Sequence, residues 1–180
     1  MKLDRKEFVQ FSWRVTSLHM ISYFIAGILS LFFIGYKELF SSDTVSMLMR
    51  PIDSPLVAAG PSLQIILGFF MSIFLFPFRS IFLEQKRGWV NLFILIIGFT
   101  IFSPQLPGPG SFEGLLYTVL PWKAHLIGLP EMLVYSILFS TGIVFWYRKP
   151  KRAWNIIATM CIFLILLMST LGILASTGII

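Results

Sequence analysis

Five stretches of this chain are long and apolar enough to cross a bilayer, and polar or proline-rich gaps separate them: roughly 15–36, 61–80, 88–104, 126–147 and 153–177. A helix of about 20 mainly apolar residues spans the hydrocarbon layer. The predicted fold is therefore an all-α integral membrane protein, five transmembrane helices in a compact bundle, with 1–180 forming one helical membrane domain. Composition agrees: 57% of residues are hydrophobic and 12% charged, against about 45–50% and 25% in a soluble domain, and the mean hydropathy is +0.85.

Charge placement sets the expected orientation. Taking the N-terminus, the 79–87 link and the 148–152 link as one side collects 11 of the 14 basic residues there, while the other side receives five of the eight acids (Glu38, Asp43, Asp53, Glu113, Glu131). The positive-inside rule then puts the N-terminus in the cytoplasm and the C-terminus outside. The first apolar stretch exceeds the h-region of a secretory signal and no A-x-A site follows, so it reads as an uncleaved anchor. The expected location is a cell membrane of the bacterial inner or plasma membrane type, crossed several times.

The net charge of +6 does not point to nucleic acid, because the basic residues cluster beside the spans instead of forming a face interleaved with exposed aromatics. Cys161 has no partner in the chain, so there is neither a disulfide framework nor a cysteine-based zinc site. No metal or cofactor is expected.

Within a bilayer, small and polar residues at i, i+4 mark the faces where helices pack. Gly60, Gln64, Gly68 and Ser72 form such a stripe, on a helix that Pro61 would open at its first position. Ser12, Thr16, His19, Tyr23, Ala26 and Ser30 form another, and Ser136 and Ser140 a third. His19, placed toward the cytoplasmic end of its span, reads as a neutral histidine bonded to a neighbouring helix.

The links on the outer side are long, from about Lys37 to Gly60 and from about Pro104 to His125, where helix connections are commonly about 2–8 residues. They are rich in Leu, Val, Met, Phe and Trp, so a built surface with short interfacial helices is expected. One such helix would run through Met49, capped by Ser42 or Asp43. Another would use Ser111 as N-cap with Glu113 in its first turn. The chain from Pro51 to Pro61 would return extended, as a lid carrying Arg50 and Asp53 at its bend.

Pro130 sets either the start of the fourth span, with Glu131 in its first turn and His125 in an irregular segment before it, or a kink. Ionisable groups near a hydrocarbon boundary are costly and mark functional positions. The candidate site therefore lies on the outer side. His125, Glu131 and Glu113 are the acid–base candidates, and Arg50, Asp53, Gln64 and Tyr117 the ligand-binding ones, with Gln64 expected to find Arg50 or Asp53. A histidine with a carboxylate can act as general base, and an arginine holds phosphate or carboxylate bidentately.

These residues suggest a site for a lipid or other amphiphile from the outer leaflet, with acid–base chemistry on it permitted. The chain has no G-x-S-x-G, no H-E-x-x-H and no acidic pair at metal-ligand spacing. It shows no internal repeat of the kind transporters carry. The alternative is a structural or assembly subunit of a larger membrane complex. Expected partners are membrane lipids and either another membrane protein or a second copy of the chain.

Overall fold

The computed structural model describes residues 4–33, 43–46, 49–102 and 108–179, and all its regular elements are helices. In hydrocarbon every backbone N–H and C=O must be satisfied internally, and a helix does this within each apolar run. The order is α1 (Arg5–Phe33), the single turn α2 (Asp43–Ser46), α3 (Pro55–Leu75), a 3-10 turn (Phe76–Phe78), α4 (Arg79–Leu83) and α5 (Gly88–Ile101). Then come α6 (Phe112–Tyr117), α7 (Trp122–Ile127), α8 (Leu129–Arg148) and α9 (Arg152–Ser176).

Four helical rods are long and apolar enough to cross a membrane: α1, α3 continued through α4, α7 with α8, and α9. The fifth apolar segment forms the 14-residue α5, about 21 Å long at 1.5 Å per residue and shorter than a hydrocarbon core of about 30 Å. Residues 34–36 and 103–104, the expected ends of the first and third spans, lie outside the described residues, as do Ser42, Leu48, Pro104 and Pro107.

α1 is the hub, packed against α3, α8 and α9. α3 also packs against α9, and α5 joins the bundle through α8. The predicted small-residue stripes form the central seam, running antiparallel. Ser12 donates to Ser72 (2.6 Å), whose own hydroxyl is directed to the Phe69 carbonyl. One turn further along, a Cβ on Gly68 would lie 2.8 Å from the Thr16 Cα, so glycine is what lets these two backbones approach. Gly142 of α8 lies against the Leu18 side chain of α1, whose Cδ2 would be 3.0 Å from an added Cβ. On the far side of α3, Ser169 of α9 donates to the Ala58 carbonyl (2.6 Å), beside the Gly172–Ala58 contact.

α3 starts six residues earlier than the sequence reading placed it. Pro55 stands in its first turn with Ser54 as N-cap, and Pro61 lies inside the helix. The expected extended return is therefore helical from Pro55 onward. Proline fits a first turn, where its missing N–H is unused, whereas at position 61 it removes the bond that the Val57 carbonyl would receive. Neighbouring carbonyls draw on side chains: Ala58 on Ser169, Ala59 on Ser62 (2.8 Å), Gly60 on Gln64 (3.3 Å).

The two ends of the bundle differ. At one end the basic links converge. Arg79 grips Glu7 through two bonds (2.5 and 3.0 Å), Arg148 donates to the Gln85 carbonyl, and Trp13 donates to Asn155 (3.1 Å). The apolar core lies in this half and includes Phe11, Val15, Phe76, Leu92, Phe139 and Ile143. At the loop end, Val45 of α2 is buried with Leu120 and Ala124, which ties the two long links together.

Candidate functional site

Two histidines are present in the chain, and both are buried (7% and 5% exposed). Their surroundings are opposite in kind.

His19 is the middle residue of α1, 14 positions from either end of the helix. The sequence reading put it toward one end because the helix was expected to begin near residue 15. Its Nδ1 lies 2.7 Å from the Tyr135 hydroxyl of α8, and its Nε2 lies 2.9 Å from Gln64 Oε1 of α3. The Gln64 amide nitrogen is directed to the Gly60 carbonyl, so Oε1 accepts and His19 Nε2 must donate. A neutral ring then takes the Tyr135 proton at Nδ1. The result is one directed chain, Tyr135 O–H to His19 to Gln64 to Gly60, in which the ring nitrogens and the Gln64 amide are all engaged. His19 is bonded to a neighbouring helix as expected, and in fact to two.

The ring is packed edge-on against Tyr135 and Phe139, with centroids 5.6 and 6.4 Å away. Toward the loop end the same face of α1 presents Tyr23 and then Gly27. The Glu131 carboxylate approaches there, 3.8 Å from where a Cβ on Gly27 would stand and within electrostatic reach of Tyr23. Glu131 occupies the first turn of α8, one of the two arrangements that Pro130 allowed.

His125 sits in α7, a short helix, and not in the irregular segment expected for it. Its Nδ1 accepts from the Gly110 N–H (3.2 Å). Gly110 has φ +83, a left-handed conformation that glycine adopts at low cost. Since Nδ1 accepts, the ring proton is on Nε2, and that buried Nε2–H has no acceptor among the described residues. The turn below it is well built. Ser111 caps α6 by accepting from the Gly114 N–H (2.9 Å) and donates to the Gly108 carbonyl (2.8 Å), which meets the expectation for Ser111 and Glu113.

The other predicted site residues spread over the loop end. Arg50 and Asp53 are exposed around a turn before α3, and no ion pair joins them among the described residues. Gln64, expected to reach one of them, is bonded to His19 and Gly60 instead. Glu113 is half-buried, and Tyr117 is 72% exposed on α6. His125 hydrogen-bonds to Gly110 and not to Glu113 or Glu131. Among the described residues no group of three or more metal-ligating side chains comes together.

The sequence reading placed Tyr23 on the packing stripe of the first span but missed Tyr135. The signal for Tyr135 was its spacing: Glu131, Tyr135 and Phe139 recur every four residues and share one face of α8. No family model, curated protein or solved structure matches the chain.

Proposed function

We propose that this chain is a multi-pass membrane protein that binds a lipid or other amphiphile by its polar headgroup at the loop end of the bundle. The positive-inside rule makes that end extracytoplasmic. The observation that carries the reading is the buried Nε2–H of His125. A donor taken out of water without an acceptor costs about 1–3 kcal/mol, and an oxygen of a phosphate, carboxylate or ester headgroup would satisfy it. Exposed Arg50 could add a charge-assisted bond to the same headgroup, and Asp53, Glu113 and Glu131 would help to orient it. Tyr117, on the exposed face of α6, would pack against the chain of the amphiphile. The proposal does not depend on Gln64, whose amide is already engaged.

Binding is favoured over catalysis. For His125 to act as a base at Nε2, the proton would have to move to Nδ1, which already accepts from the Gly110 N–H. Lipid carried by the purified protein, read by native mass spectrometry, tests the proposal: His125→Ala and Arg50→Ala should each strip it. Unchanged lipid content in variants of unchanged helix content would remove the site. An acid–base role for Glu131 would require that turnover of the bound lipid stop in Glu131→Gln.

The second reading, a structural subunit that packs against another membrane protein or a second copy, draws on the His19 cluster. Its polar groups lock three helices together and leave His19 and the Gln64 amide bonded within the fold.

A further inference from the structure

The basic end of the bundle holds a partly enclosed cavity of about 40 Å³. Glu7, Gln10 and Arg14 approach it from α1, Arg79 from α4 and Tyr147 from α8, over an apolar floor that includes Ile143. Residues 7, 10, 11 and 14 fall on one face of α1 by the i, i+3, i+4, i+7 rule, so this convergence follows from helix geometry.

The charges do not cancel. Glu7 is bound by both arms of Arg79, whose guanidinium is also stacked over the Phe76 ring at 4.2 Å. Arg14 is half-buried, and its guanidinium has no hydrogen-bond or carboxylate partner among the described residues. The Tyr147 hydroxyl likewise has no hydrogen bond there. With Glu7 contributing one negative charge and Arg79 and Arg14 two positive ones, the lining is left with one positive charge and two unused donors from different helices. An arginine near the end of a span can lie along apolar surface and extend its head to water. Here its head shares a walled cavity with a second donor, beside a carboxylate that is already neutralised.

We propose that this cavity binds a phosphate group, with Arg14 and Tyr147 donating to its oxygens and the Glu7–Arg79 pair fixing the wall. The ligand chemistry is that of a compact phosphoryl oxyanion, from a lipid headgroup in the adjacent leaflet or from free phosphate. A planar guanidinium fork matches two phosphate oxygens at once. By the measure in which one water needs about 10–15 Å³, the cavity takes about three water-sized groups. That suits phosphate oxygens and excludes a bulky headgroup such as choline. The site is at the opposite end of the bundle from His125 and does not depend on it.

The test is thermal unfolding of the full chain in detergent with three probes: dioctanoyl phosphatidic acid, dioctanoylglycerol and inorganic phosphate. A saturating phosphate-bearing probe should raise the midpoint by about 5 °C, and dioctanoylglycerol should not. A rise with phosphatidic acid alone assigns the site to a lipid, and a rise with inorganic phosphate as well extends it to free phosphate. With the loop-end lipid site removed by His125→Ala, Arg14→Gln should abolish the response, Tyr147→Phe should weaken it, and Arg152→Gln should leave it intact. If Arg14→Gln fails to fold, Tyr147→Phe still decides. An undiminished response in these cavity variants, or no response of the natural chain to either phosphate probe, overturns the proposal.

Discussion

His19 and His125 are both buried in helices, yet one has every ring nitrogen bonded within the fold and the other keeps a proton with no acceptor among the described residues. The difference shows what burial of a polar group means in a bundle like this. At the centre of α1, three helices cross and each supplies a partner, so the imidazole sets their relative register. At the loop end a short helix rests on a glycine turn, and that turn offers a donor but no second acceptor. In the first setting removal of the ring should damage the fold, and in the second it should damage binding.

The largest effect is expected from closing the seam that brings the His19 partners together. In Gly68→Val the added Cβ would stand 2.8 Å from the Thr16 backbone. α1 and α3 would have to separate, at a cost of about 3 kcal/mol, read as a lowered unfolding midpoint in detergent. His19→Ala comes next. It leaves Gln64 Oε1 without its imidazole donor and the Tyr135 hydroxyl with only the weak Met71 sulfur acceptor at 3.6 Å, for a loss of about 2 kcal/mol.

His125→Phe inverts the pattern. It loses the 3.2 Å bond from Gly110 but also removes a buried unpaired donor, so stability should stay within about 1 kcal/mol of the natural chain. Lipid retention should fall by about tenfold, the equivalent of one such hydrogen bond. Tyr117→Ala, on a residue 72% exposed, should change stability by less than about 0.5 kcal/mol. If His125→Phe instead destabilised as strongly as His19→Ala, the contrast between the two rings would be lost.

Much of the central seam was legible in the sequence, because stripes at i, i+4 survive any error in where a helix begins. Ser12, Thr16, His19 and Tyr23 align in reverse with Ser72, Gly68, Gln64 and Gly60, and two antiparallel spans permit that alignment. The partner of Gln64 was misassigned to Arg50 or Asp53 because nearness along the chain stood in for nearness across helices. The start of α3 was misread because Pro55 and Pro61 both look like helix openers. Nothing local distinguishes them; side chains such as Ser62 and Gln64 supply donors to carbonyls around the inner one. The helical state of His125 was hidden by Gly128 and Pro130, which suggest a break where α7 runs almost directly into α8.

The chain's two histidines make the contrast directly measurable by nitrogen NMR of histidine-labelled protein in lipid nanodiscs. Both rings should carry their proton on Nε2. When anionic lipid is added to protein reconstituted without it, the His125 Nε2 resonance should move while the His19 resonances stay fixed. A stationary His125 signal, or a shift at His19 in its place, would contradict the assignment of His125 to binding and His19 to the fold.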